Sequence, residues 1–591
     1  MSVRLGCWGR SVNAAGVKTV IPSNPTLTPG APWLYDFLCA QMPDLAKHFD
    51  GFQLPPASKA QGGAGAGCDG YGVFDLRDIG SKNQQGSIET HYGSKQSLLR
   101  LVAMAHRYGM SVFGDIPLHQ MFGDNERAPG IFQYLGADGK TLNGRGATAP
   151  GWFDGEQDWN TTTKTWNDPI PPFVKHDSVP GYDPAFGGRE RSNQNSSPAG
   201  VVIADSLDFG DWFFRTTGID GARFDDAKGT WPNFVAQFMQ SRAMARKTFY
   251  SEFFDSPANA GGWATSYPME GRSGVEDFGT HFAIQVACNS SNTWAMKDGG
   301  YFNWRPDLSW PFVDNPDTDT SPGQQVIWSK LLGYAYLLTI PCAGATVYGK
   351  DYFPSSVWPG AYGLKPWIDQ MLWASRVLAL GAYSVPYCDG TAIVLQRNGQ
   401  GGSFGSSPGL LTAISFDQSA GRTVTVPTIF WPGTHLHDFL GHHGDIWCDG
   451  EGNATFMVPP NTGGAGQNAL MFSWVGMEGY VIEVSSGTAV QEIEAAADLD
   501  VAPIPAGSTA PCGLPIYADI DTDIAITLQE PADITLITIT GPDGNPLDGE
   551  DNLFRVAVAG WHQISATNTG AVDAPYVIEV QYTAPKEVIT A

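Results

Sequence analysis

The sequence is short of positive charge. Its 591 residues hold 34 Lys and Arg against 60 Asp and Glu, a formal net charge of −26. A surface this acidic repels nucleic acid and anionic membrane, so partners of those classes are not expected. Charge of either sign is scarce, at 16% of the chain. The eight cysteines (Cys7, Cys39, Cys68, Cys288, Cys342, Cys388, Cys448 and Cys512) contain no CxxC pair. That argues against zinc, and their wide spacing reveals no disulfide framework. No apolar run approaches membrane-spanning length. The opening Met1-Ser2-Val3-Arg4-Leu5-Gly6 lacks both a charged n-region and a long apolar h-region, so no signal peptide is visible. A processed secreted protein and a cytoplasmic one both fit. Internal repeats and true low-complexity segments are absent.

Hydrophobic residues make up 42% of the chain, with 71 Gly, 42 Pro and 19 Trp. This is ample material for a large core in a loop-rich chain, and the length suggests three or four domains. Residues 3–8 read as a strand, and 33–47 carry apolar residues at helical spacing. An apolar strand, FDGFQLPPAS, follows and stops at a double proline. Residues 94–108 form an amphipathic helix opened by Ser94 as cap, and 111–118 a strand. The alternation breaks over 120–204, which is rich in Gly, Pro, Asn, Asp and Trp. So long an irregular stretch inside a domain reads as a functional insertion.

Helices at 206–216, 232–246, 324–339 and 364–380 then alternate with strands at 219–225, 248–253, 309–314 and 344–349. A closed (β/α)₈ TIM barrel over 1–119 and 205–387 is the economical reading. Residues 388–484, with TAIVLQR, TVTVPTIFW and GYVIEV as the clearest strands, read as an antiparallel β domain. Residues 485–503 read as an acidic linker, and 504–591 as a β-sandwich module.

The chemistry gathers at strand ends. In Gly218-Ile219-Asp220-Gly221-Ala222-Arg223-Phe224-Asp225-Asp226-Ala227-Lys228, Arg223 and Asp225 share a strand face. A carboxylate beside an arginine is expected to stay ionised, as a carboxylate nucleophile must. Three further strand ends supply Asp115, Glu252 and the run Asp314-Asn315-Pro316-Asp317. All four arrive at the rim where barrels carry reactive groups. Several carboxylates facing one pocket suit glycoside cleavage, in which one is ionised and another donates a proton.

The blocks GYGVFDLRDIGSKNQQGSIETHYGSKQSL (70–98), ADSLD (204–208), GIDGARFDDAK, the Glu252 strand end and FVDNPDT occur in a telling order. On them, residues 3–484 resemble the α-amylase superfamily of retaining glycoside hydrolases, and within it the bacterial liquefying-type α-amylases. The resemblance implies an endo-acting hydrolase of α-1,4-glucosidic bonds. Asp225 would be nucleophile, Glu252 acid/base and Asp317 a transition-state clamp. Arg223 would orient Asp225, Tyr71 would stack on sugar, Asp115 would support the site, and Lys228 and Gln120 would contact substrate. Residues 120–204 would be domain B.

The resemblance also implies a structural Ca²⁺ between barrel and insertion, with Asp205 as one ligand; a capping role for Asp205 is the plainer alternative. The expected partner is an α-glucan polysaccharide bound by a monomer. The family pattern departs at three places. His119-Gln120 stands for Asn-His, and Gly229 and Pro316 each stand for histidine. Two alternatives therefore stay open: a transglycosylase or hydrolase of another α-glucan, and a non-catalytic glycan-binding protein on the same barrel. The terminal module reads as structural or tethering.

Overall fold

The computed structural model describes residues 2–6, 33–60, 69–122, 200–355 and 360–477 with short gaps, pieces of 126–190, and most of 481–590. Residues 133–158 and most of 161–199, the bulk of the expected insertion, lie outside the described residues. In chain order the first part gives β1 (Ser2–Gly6), α1 (Leu34–Leu45), β2 (Gly51–Gln53), α2 (Lys95–Arg107), β3 (Ser111–Ile116), α3 (Gly200–Thr217) and β4 (Gly221–Phe224). It continues through α4 (Pro232–Gln240), β5 (Thr248–Ser251), β6 (Gly274–Glu276), α5 (Phe278–Ser290), β7 (Ser309–Trp310), α6 (Lys330–Leu337), β8 (Gly344–Tyr348) and α7 (Lys365–Leu378).

These eight strands form one parallel sheet in the order β7-β6-β5-β4-β3-β2-β1-β8. The Thr346 N–H donates to Pro311 O at 2.9 Å, Ala343 N–H donates to Ser309 O at 2.9 Å, and Phe312 bridges Thr346 in parallel. The two edges therefore meet and the barrel closes, as expected.

The interior is a packed floor. The rings of Tyr250 and Trp310 stack at 4.5 Å, Phe113 leans on both, and the Arg4 guanidinium lies 3.8 Å over the Phe113 ring. Trp310 dictates two glycines. A Cβ on Gly274 would fall 2.2 Å from its Nε1, and one on Gly344 2.5 Å from its Cζ3. With the middle of the barrel filled, only its C-terminal rim remains for a polar site.

The helices follow local chemistry. Ser94 and Ser97 cap α2 reciprocally, and its apolar face buries Leu98, Leu101, Val102 and Ala105. Two expected helices are shorter than read. The 232–246 helix ends at Gln240, and a 3₁₀ turn, Arg242–Arg246, replaces its last part. The 324–339 helix begins only at Lys330, because the buried Asp314 carboxylate accepts the Val326 N–H and Ser329 donates its N–H to Gly464 O. Both bonds hold the preceding residues in a loop. Strand β6 was not among the expected strands.

Beyond the barrel, six antiparallel strands from Tyr383–Cys388 to Leu470–Trp474 and the pair Arg422–Pro427 with Asn453–Val458 enclose Val394, Leu411, Val424, Phe456 and Phe472. A second β assembly packs two sheets around Ile524, Ile539, Ile564, Ile578 and Val580. Two expectations are corrected here. Residues 488–495, read as linker, form a strand paired along its whole length with Tyr576–Thr583. Val481–Val484, assigned to the preceding domain, pairs with Glu587–Thr590 near the chain end. Backbone pairing does not depend on side-chain charge, so an acidic composition concealed a strand. Among the described residues no helix is long and apolar enough to cross a membrane.

Candidate active site

Parallel register assembles the site. Arg223 on β4 lies opposite Asp115 on β3 and Tyr250 on β5, and the pleat brings Asp225 back to the same face two residues later. The Arg223 side chain is then shared by four carboxylates. Nη1 donates to Asp225 Oδ1 and to Asp115 Oδ2, each at 2.9 Å. Nη2 lies 3.0 Å from Glu252 Oε2, and Nε donates to Glu276 Oε2 at 3.0 Å. Arg223, Asp115, Asp225 and Glu276 are buried, and Glu252 is partly open. The main chain fixes Glu252: its N–H donates to Phe224 O at 2.9 Å, and its carbonyl accepts from Ala227 N–H at 3.0 Å. Asp226 N–H donates to Glu252 Oε2 at 3.1 Å.

Asp317 comes from the short helix Pro316–Thr320 after β7. Asn315 caps that helix, its Oδ1 accepting from Asp317 N–H at 3.0 Å and Thr318 N–H at 2.9 Å. Pro316 sits at the first helical position, where its lack of an N–H costs nothing. The proline that replaces an expected histidine thus helps set the turn carrying Asp317.

One guanidinium cannot neutralise so many buried acids. Burial, and next the charge of Glu252, lift the Asp225 carboxyl well above its ordinary range, against the pull of Arg223. Burial lifts Asp115 to about 6, Arg223 and the Tyr71 hydroxyl opposing. Asp317 keeps an accessible surface, yet the protein around it strips much of its hydration; that, and then Glu252, lift it to about 6. Arg223 opposes the rise at Asp225, but its charge is divided among four carboxylates.

Tyr71 donates its hydroxyl to Asp115 Oδ2 at 2.9 Å, at the edge of the cluster. Lys228 donates to Phe254 O at 3.1 Å and lies 3.3 Å from Asp255 Oδ2, on the rim beside Glu252. Gln120 opens a strand, Gln120–Phe122, that pairs with Gly188–Glu190; its side chain lies outside the described residues.

Asp205 does not fit the calcium expected of it. Its Oδ1 lies 2.7 Å from Arg77 Nη1, and its carbonyl accepts from Arg77 Nη2 at 2.9 Å. A guanidinium against Oδ1 and the carbonyl already supplies positive charge there and repels a cation. His119, buried at the position of the family's Asn, lies with Nδ1 3.3 Å from Asp226 Oδ2 and offers an imidazole where calcium prefers oxygen. Among the described residues, no three His, Cys, Asp or Glu side chains converge as a metal's ligands.

Sequence reasoning missed two residues. Glu276 ends the unexpected strand β6 and holds Arg223 Nε. Asp226, with φ at +41°, turns its carboxylate under the following loop, where Oδ1 accepts from Gly229 N–H at 3.0 Å. A Cβ on Gly229 would stand 2.5 Å from Asp226 Oδ2. The absent histidine at 229 is therefore coupled to the acid at 226. The adjacent acids Asp225-Asp226 were visible in the sequence, but nothing marked their separate tasks.

No protein-family profile matches the chain. Individual relatives do. It is 27% identical over 465 residues to an α-amylase of Geobacillus stearothermophilus, covering 70% of this chain and 78% of that one. It is 25% identical over 454 residues to the glucan 1,4-α-maltohexaosidase of Bacillus sp. strain 707, covering 70% and 82%. Among solved structures, the acarbose complex of an α-amylase from Geobacillus thermoleovorans superposes with a TM-score of 0.55 at 16% identity, covering 79% of this chain and 97% of that one. In its closed barrel, the order of its sequence blocks and these relatives, the chain is similar to the glycoside hydrolases of the α-amylase superfamily, bacterial α-amylases among them.

Proposed function

We propose that this chain hydrolyses internal α-1,4-glucosidic bonds of starch-like glucans with retention, through a covalent intermediate on Asp225. The observation that carries the reading is Asp225 and Glu252 on neighbouring nitrogens of one buried guanidinium. That spacing suits double displacement, which needs the two carboxyls about 5–5.5 Å apart, with no room for a water between.

The hydrogen bonds divide the labour. Asp225 Oδ1 is held by Arg223, which leaves Oδ2 to attack the anomeric carbon. Glu252 Oε2 lies against both Arg223 Nη2 and Asp226 N–H, so a proton on Glu252 resides on Oε1. As the Asp225–carbon bond forms, the glycosidic C–O bond breaks and the leaving oxygen takes that proton. In the second half, water gives a proton to Glu252 and its oxygen displaces Asp225.

Asp317 clamps sugar hydroxyls from the facing loop, and Tyr71, anchored through Asp115, offers a ring for stacking. Lys228 contacts sugar on the leaving-group side, and Gln120 is the residue type that can donate a hydrogen bond to the sugar at the cleavage point. In this reading the barrel comprises 1–119 and 205–387, with 120–204 as one wall of the cleft, 388–477 as an antiparallel β domain and the residues from 481 onward as an accessory β module. The test is ¹H NMR of the first products from soluble starch. New reducing ends appearing as the α-anomer support the reading. A β-anomer first, no reducing ends, or chains longer than the maltooligosaccharide supplied would each displace it in favour of an alternative.

Calcium at Asp205 has no part in this reading, because Arg77 already supplies the cation. The melting temperature is expected to be the same in chelator and in millimolar Ca²⁺. Arg77→Gln, which strands a nearly buried carboxylate, is expected to lower it by about 5 °C or more. Differential scanning calorimetry reads both, and a fall in chelator as large as that of Arg77→Gln would contradict the assignment.

A further inference from the structure

We propose that Glu276 is a positioning residue of the active site, a strut that joins the Arg223 hub to the loop presenting Asp317; the proposal rests on the reading above. Glu276 is 3% exposed at the end of β6. Its Oε2 accepts from Arg223 Nε at 3.0 Å, and its Oε1 accepts from Asn315 Nδ2 at 3.0 Å. Asn315 in turn uses Oδ1 to cap the turn whose first N–H groups belong to Asp317 and Thr318. One carboxylate thus connects the group that holds Asp225 and Glu252 with the group that places Asp317.

The geometry also bears on the protonation state. Both oxygens of Glu276 accept hydrogen bonds from Arg223 and Asn315, donors that favour its carboxylate form and oppose the upward push of burial and of Glu252. By contrast, Asp115 Oδ1 has no hydrogen-bond partner within the cluster, and it is there that a proton can sit.

Two effects follow. By taking Nε, Glu276 fixes the rotation of the guanidinium plane, and with it the directions in which Nη1 and Nη2 meet Asp225, Asp115 and Glu252. As a carboxylate, it helps the neighbouring acids keep their protons. The charged and titratable groups facing it are Arg223 from β4, Tyr250 and Glu252 from β5 and its end, Asp115 from β3, and Asp317 beyond β7. Burial and the charges of Glu252 and Glu276 outweigh Arg223 at Asp317, which titrates at about 6. Glu276 therefore acts on how long the site stays protonated as pH rises.

The test is Glu276→Gln, a near-isosteric change, with starch hydrolysis by the unaltered protein as control. The expected result is a kcat lowered about tenfold or more with KM nearly constant, and a basic limb of the pH–rate profile moved about one unit toward acid. The limb moves that way because losing a neighbouring anion lets the remaining acids ionise sooner. Asn315→Ser, which keeps a helix cap but removes the donor to Glu276, tests the strut separately and is expected to lower kcat at an unchanged melting temperature. It also decides the matter should Glu276→Gln not fold. A Glu276→Gln profile superimposed on the control with kcat within about twofold, or an Asn315→Ser enzyme of full activity, overturns the proposal while leaving the hydrolase reading intact. An inactive control overturns the reading itself.

Discussion

Asp225→Asn and Glu252→Gln are each expected to lose at least about 10³-fold in kcat on starch, with folding unchanged. Both changes keep the shape and remove the one property used: the nucleophilic anion at 225, the transferable proton at 252. The two differ in a way that a merely structural role would not reproduce. An aryl α-maltoside with a good leaving group needs little help from an acid. Glu252→Gln should therefore recover much of its first-step rate on that substrate, whereas Asp225→Asn should not, because no leaving group replaces a nucleophile. Burst kinetics with the aryl substrate measure both. Equal losses on both substrates for both variants would reject the division of roles, and unchanged activity in either would remove that residue from the chemistry.

Arg223 carries the second large effect. Arg223→Leu leaves Asp115, Asp225, Glu252 and Glu276 around an apolar stub. Removing one partner of a buried ion pair costs about 3–5 kcal/mol, so the melting temperature should drop by about 10 °C and activity should vanish. The loss has a pH signature. Asp115 already titrates at about 6 because burial outweighs Arg223. Without the arginine, carboxyls of this cluster bind protons still more tightly in the folded state than in the unfolded one.

A raised folded-state value means stability present below the unfolded pKa of about 4 and lost as pH climbs through the folded value. The deficit of Arg223→Leu against the unaltered protein should accordingly be large at pH 8 and shrink toward pH 5. Arg223→Lys keeps the charge but offers a single ammonium in place of a planar fork. It should recover most of the stability yet lose about 10²-fold in kcat through misplacement. Thermal melts across pH check these expectations, and a pH-independent deficit would mean that the carboxylates do not depend on Arg223.

The barrel was legible because its elements are local. The Ser94 cap, the apolar spacing of α2 and the alternation of strands and helices need no knowledge of distant residues. The Arg223–Asp225 pair was legible for the same reason, since a strand's period of two puts both on one face. Strand β6 was not. Gly274-Val275-Glu276 offers one apolar residue and a glycine, and the glycine is there because Trp310 stands 2.2 Å from where its Cβ would be. That reason lies in another strand.

Glu276 was invisible for the same cause, because its partner is 53 residues away in sequence. The departures from the family pattern misled in a particular way. Gly229 and Pro316 read as losses, whereas one makes room for the Asp226 carboxylate and the other starts the turn that carries Asp317. Asp205 read as a metal ligand because Arg77, 128 residues earlier, could not be seen beside it.

The central claim is that Asp225 becomes covalently glycosylated. Incubation with a 5-fluoro-α-glucosyl fluoride, which slows the second step more than the first, followed by proteolysis and tandem mass spectrometry, tests it directly. The account expects one added hexosyl group per chain, on Asp225 in the peptide containing Arg223-Phe224-Asp225-Asp226. A label on Asp226, Glu252 or Asp317 instead, or turnover with no covalent adduct, would contradict it.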